Sequence, residues 1–92
     1  MTTQEKAAIL ASLKVDLGIK TTAYDERLSQ IIDASADMIE TEGASLNYSD
    51  VQDVQLIVMY AAWLWRRRDS GDGMPRMLRW TLNNRILGAK MQ

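Results

Sequence analysis

The residue types that carry most enzyme chemistry are thinly supplied in this 92-residue chain. Histidine, the commonest general acid–base, is absent, and so is cysteine. Without cysteine there is no thiol nucleophile, no disulfide and no thiolate metal site. No GxSxG, SxxK or GxxxxGK[ST] pattern occurs. The segment from Asp69 to Trp80 begins like a calcium-binding loop. An EF-hand would need Asp or Asn at 71 and 73, Gly at 74 and Glu at 80. The chain has Gly71, Gly73, Met74 and Trp80 there. The residues therefore point away from catalysis, from a metal and from a bound cofactor.

Two other groupings could carry recognition. Glu26, Asp33, Asp37 and Glu40 lie within about 60° of one another on a helix of about 100° per residue, which makes an acidic ridge. The second is the stretch AAWLWRRRDSGDGMP, residues 61–75, followed by Arg76, Arg79 and Trp80. Arg66, Arg67 and Arg68 are consecutive, so on a helix they fan out and do not form one patch. As a plain helix end they favour the macrodipole and the terminal carbonyls. As an interaction cluster with Arg76, Arg79 and Arg85 they suit a protein interface, where arginine and tryptophan are enriched. Trp65 is expected in the core. Trp63 and Trp80 are core or, if exposed, interface anchors.

The charge is split along the chain. The net charge is −1, but residues 1–53 carry −6 and residues 54–92 carry +5. A nucleic-acid-binding chain usually shows an overall basic excess, so this split suits self-complementarity, within one fold or between copies. The longest apolar run, residues 56–65, is half the length of a membrane span, and the opening MTTQEK lacks the pattern of a secretory signal. A soluble protein without membrane contact is expected.

These groups must be positioned by helices. The chain reads as one small all-α domain over residues 1–92, with helices at about 3–17, 23–42, 50–68 and 75–87 and a loose tail at 88–92. The first opens on the capping box Thr2–Glu5 and stops at Gly18. The second has an apolar stripe of Leu28, Ile31, Ile32, Ser35, Met38 and Ile39, with Thr21 or Thr22 as its cap and Gly43 as its end. The third starts from a Ser49–Gln52 box and has two apolar faces. One holds Val51, Val54, Val58, Ala61, Ala62 and Trp65. The other holds Leu56, Tyr60, Trp63 and Leu64. Three short helices cover two faces incompletely, so part of this surface is expected to meet another subunit. Residues 68–74 form a loop. In the fourth helix Pro75 opens the first turn, and Met77, Leu78, Thr81 and Leu82 face inward with Trp80 opposite.

The order of phrases then resembles a known family. LKVDLGI is followed by DERLSQIIDASADMIE, then YSDVQDVQLIVMYAAWLWRRRD, a glycine-rich gap and MPRMLRWTLNNRIL. This layout resembles the small head–tail connector proteins of tailed bacteriophages, also called adaptor or head-completion proteins. The resemblance spans nearly the whole chain and rests on layout and short phrases rather than on a catalytic signature. It implies an all-α, ring-forming structural subunit without cofactor. The ring would be twelvefold in the virion, beneath the portal protein. It would extend the DNA channel and dock a stopper or tail completion protein. The location implied is the virion neck, with the host cytoplasm during assembly. The family's C-terminal segment grips the portal, which would assign portal contacts to Asn83, Asn84, Arg85 and Lys90. The subunit interface expected from the charge split pairs Glu26, Asp33, Asp37 or Glu40 of one copy with Arg66, Arg67, Arg68, Arg76 or Arg79 of the next. Trp63 and Trp80 would add apolar contact. Two other readings remain open: a sequence-independent DNA-binding module of a phage or mobile element, and a monomeric four-helix domain whose charge halves neutralise each other.

Overall fold

The computed structural model of the chain describes the backbone of residues 1–70 and 73–90 and the side chains of residues 1–67 and 73–88. Four helices follow in order: α1 Thr3–Leu17, α2 Asp25–Thr41, α3 Val51–Ser70 and α4 Arg76–Lys90. No strand occurs among the described residues. The longest helix, α3, packs against each of the other three, and α1 and α2 also pack on each other.

Each helix boundary has a local cause. At α1 the Thr2 hydroxyl accepts the Glu5 N–H at 3.1 Å, and Glu5 accepts the Thr2 N–H at 2.7 Å. This satisfies two orphan donors reciprocally, as the sequence implied. Gly18 ends the helix in the left-handed region at φ 73, where its N–H bonds back to the last turn. The start of α2 departs from expectation. Neither Thr21 nor Thr22 caps it; Tyr24 occupies the cap position with no side-chain hydrogen bond. Asp25 and Glu26 in the first turn offset the helix dipole instead. Gly43, at φ 120, turns the chain out of α2. The cap of α3 is Asp50, not Ser49. Its carboxylate accepts the N–H groups of Gln52 (2.8 Å) and Asp53 (3.3 Å). Ser49 is held one step earlier by its own N–H on the Asn47 side chain. Helix α3 runs two residues further than expected, to Ser70. Helix α4 continues through Gly88 to Lys90, so a loose tail from 88 is not observed. Glycine ends a helix by turning left-handed, and Gly88 stays helical.

The core is a single apolar cluster. Ile9 and Leu13 of α1, Leu28, Ile32 and Ile39 of α2, Leu56, Ile57 and Ala61 of α3, and Leu78 and Leu82 of α4 are almost completely enclosed. The α2 stripe is shifted from expectation: Ala36 is buried and Met38 is 45% exposed. Both sit at the edges of the stripe, and the small alanine admits a close neighbour where methionine does not. Ser35 is buried at no cost in lost hydrogen bonds, because its hydroxyl donates to the Ile31 carbonyl at 2.7 Å. On α3, Val51, the first residue of the helix, is 82% exposed and does not join the apolar face expected of it. Trp65 reaches only the rim of the core, edge-on to Tyr24 at 5.4 Å. Helix α4 is the least embedded element. Besides Leu78 and Leu82, only Ile86 and the preceding Met74 contribute apolar packing among the described residues.

Candidate functional site

The surface groups divide into those used inside the fold and those left facing outward. The acidic ridge forms as the sequence predicts: Glu26, Asp33, Asp37 and Glu40 are all exposed on α2. Asp33 is already paired, accepting from Lys6 of α1 at 2.6 Å, and Lys14 reaches Asp25 at 2.7 Å. These two bridges place the ridge alongside α1. Glu40 accepts the Tyr48 hydroxyl at 3.3 Å. That neighbour and burial push the Tyr48 pKa above the ordinary phenol range, burial being the larger cause. Glu26 and Asp37 form no ion pair among the described residues.

Most of the arginines are committed internally. Arg66 approaches Asp16 of α1, with 3.8 Å to the carboxylate. The Arg67 guanidinium lies 5.1 Å from the ring centre of Trp63, a cation–π distance. Arg79 bonds Glu42 at 2.9 Å. Arg85 is turned inward. Its Nε donates to Asp53 Oδ1 at 2.7 Å, while one terminal nitrogen serves both Asp53 Oδ2 (3.2 Å) and the Ser45 carbonyl. Arg76 is exposed and makes no ion pair among the described residues. The side chains of Arg68 and Lys90 lie outside the described residues. Asn83 and Asn84 are exposed on α4.

Asp53 is a residue the sequence reading did not single out. It is 3% exposed, and besides Arg85 it accepts the Asn47 N–H at 2.8 Å. Burial alone would raise its pKa. The Arg85 hydrogen bonds, the Asn47 N–H and the Arg85 charge outweigh burial and hold it below the ordinary carboxylate range. The pair ties α4 to α3 and to the 45–47 turn. A first-turn aspartate looks like an ordinary dipole partner, and its mate is 32 residues away. Only the proximity of α3 and α4 reveals the pair.

The tryptophans separate clearly. Trp63 is half-buried: its ring stands edge-on to Tyr60 at 5.5 Å, and its N–H donates to the Gly73 carbonyl at 3.2 Å. It serves the α3–α4 connection more than an outer face. Trp80 is 62% exposed. Met77 (65%) and Leu87 (56%) flank it on the outer face of α4, so Met77 does not face inward as expected. The spacing 77, 80, 84, 87 was visible as a helical row; Leu78 beside Met77 hid it by setting the phase. Trp80 and Val51 rim an open groove of about 870 Å³ between α3 and α4, with Leu56 and the Asp53–Arg85 pair among its lining.

Among the described residues no group of three or more His, Cys, Asp or Glu side chains could hold a metal ion, and no helix is long and apolar enough to cross a membrane. No family model, no curated protein and no solved structure matches the chain.

Proposed function

We propose that the chain is a structural subunit of a bacteriophage head–tail connector, assembling into a ring beneath the portal protein at the virion neck. In this reading it extends the DNA channel and offers a docking surface to a stopper or tail completion protein. It acts without catalysis and without a cofactor, and its ring follows the portal's twelvefold symmetry. The observation that carries the reading is the presence of two unlike outward faces on one small helical fold. One is the acidic ridge of α2, and the other is the apolar outer row of α4 with the basic residue Arg76. A ring is built by heterologous contacts, which need two different faces on each subunit. The phrase order of the sequence, from LKVDLGI to MPRMLRW, supports the reading by its resemblance to the connector family.

The internal use of Arg66, Arg79 and Arg85 narrows the charge pairing between copies. Asp37, Glu26 and Glu40 on one side and Arg76 on the other remain the groups through which neighbours would set register, the Arg68 side chain lying outside the described residues. Light scattering at low and high salt tests the reading. A species near twelve subunits that dissociates in salt is expected. A monomer at every salt and concentration that binds no purified portal ring refutes it. Tight, steeply salt-dependent binding of that monomer to duplex DNA would replace it with the DNA-binding reading.

A further inference from the structure

Helix α4 carries four charged residues, Arg76, Arg79, Arg85 and Lys90, and all are basic. Its outer face nevertheless presents a row of large apolar side chains, Met77, Trp80 and Leu87, with Asn84 between them. A second α4 is a poor partner for this row, since every charge along the pair would repel and bulky side chains would meet bulky ones. The partner face should be flat, uncharged and bordered by acid.

The same chain has such a face. The outward residues of α1 are Gln4, Ala7, Ala8, Ala11, Ser12 and Val15, and all are exposed. Val15 is 83% exposed. An exposed helix face normally carries charge, and this one has none. It is bordered at its C-terminal end by Asp16, an exposed carboxylate that Arg66 of the same chain approaches only to 3.8 Å. The acidic ridge runs along the α2 side, tied there by the Lys6–Asp33 bridge. Both helices are 15 residues long, so they match in length.

We infer that the α4 row of Met77, Trp80 and Leu87 seats on the charge-free α1 face of a second copy, antiparallel, with the arginine-bearing first turn of α4, Arg76 and Arg79, toward the end of α1 that carries the neighbour's Asp16. This rests on the ring reading and identifies its contact. Alanines let the backbones approach closely, and the large side chains of α4 fill the surface they leave. The antiparallel direction also aligns the two helix dipoles favourably.

The area explains why one such contact is not enough. At 62% exposure Trp80 offers roughly 150 Å², and the whole row a few hundred Å². A stable pair usually buries roughly 800 Å² per partner. A closed ring engages both faces of every subunit and so doubles the area that each one buries.

The cysteine-free sequence makes a clean test possible. Ala11→Cys and Asn84→Cys copies, each central on its helix row, are mixed and oxidised, with Thr21→Cys as the control position. Mass spectrometry of the cross-linked dimers is expected to show the Ala11–Asn84 heterodimer at least ten-fold above the control. In parallel, Ala11→Glu and Trp80→Glu should each raise the concentration needed for wild-type association at least ten-fold. Both positions are exposed, so folding should be retained, which circular dichroism checks. Dominant Asn84–Asn84 or Ala11–Ala11 dimers overturn the inference, because they mean an isologous contact. If the wild-type chain forms rings but the cysteine copies give no Ala11–Asn84 product above the control, this contact is wrong and the ring reading stands. A wild-type chain that does not associate, with cysteine copies that do not cross-link above the control, overturns the contact, and portal binding then decides the ring reading separately.

Discussion

Breaking the Asp53–Arg85 pair should be the most damaging polar change in the molecule, and its two halves should fail differently. Truncating one partner of a buried ion pair costs roughly 3–5 kcal/mol. Asp53→Ala leaves a guanidinium that is already 28% exposed, which recovers part of its hydration by swinging outward. A loss of about 3 kcal/mol is expected. Arg85→Ala leaves a carboxylate on a residue only 3% exposed, holding just the Asn47 N–H and the cap environment. Its cost should exceed that of Asp53→Ala by about 1 kcal/mol. A chain of this length has roughly 5–14 kcal/mol in total. At about 4–8 °C per kcal/mol, Asp53→Ala lowers the Tm by roughly 12–24 °C. Thermal and urea unfolding followed by far-ultraviolet circular dichroism would measure both variants.

The pH profile adds a second readout. In the wild type the folded Asp53 pKa is depressed below its unfolded value. Its contribution is therefore fully present above the unfolded pKa, near 4, and is lost as the pH falls through the folded value. Burial is already the largest single influence on Asp53, and with Arg85 removed only the Asn47 N–H opposes it, so the Asp53 pKa should rise. The same group should then destabilise Arg85→Ala as the pH rises. A loss below 0.5 kcal/mol in either variant, or an unchanged pH slope in Arg85→Ala, would refute the reasoning.

Other predictions follow from the caps and faces. Asp50→Ala should cost about 1 kcal/mol, whereas Ser49→Ala should cost little, which a pair of urea titrations would separate. Gly18→Ala should destabilise by about 1 kcal/mol, since φ 73 is strained for any side chain although the space beside it is open. Trp80→Ala should leave the monomer's Tm within about 2 °C, whereas Trp63→Ala should cost about 2 kcal/mol through its Tyr60, Arg67 and Gly73 contacts. Asp37→Lys should weaken assembly while preserving helicity by circular dichroism. It is a cleaner probe than Asp33→Lys, which also breaks the Lys6 bridge.

The helices were legible because their signals are local. The Thr2–Glu5 box, the Leu28-to-Ile39 periodicity and Gly18 all act within a few residues, and each appears where the sequence places it. What escaped depends on neighbours. Met38 and Ala36 border the α2 stripe almost equally, and only the approach of the other helices decides which is enclosed. Asp50 took the cap from Ser49 because Asn47 had already turned the backbone. The surface was half legible. The acidic ridge was a matter of wheel geometry and emerged intact. The arginines seemed free in the sequence, but Arg79 and Arg85 find acids 37 and 32 residues away. The α4 outer row was written in the spacing of Met77, Trp80 and Leu87, and it became visible once Leu78 and Leu82 fixed which side faces in.

The thin seating of α4 has a consequence for how the molecule holds together over time. Among the described residues, two fully enclosed leucines and two ion pairs anchor this helix, which contributes less to the single core than the other three. It is therefore the unit expected to open first, with amide hydrogens that exchange ahead of those in α2 and α3. Anything that covers its outer row binds the closed form and not the open one. Occupancy and closure are then thermodynamically linked, so each bound neighbour would deepen the stability of the subunit it touches. If the chain assembles as proposed, it would gain its final rigidity from its surroundings, and the gain would depend on protein concentration.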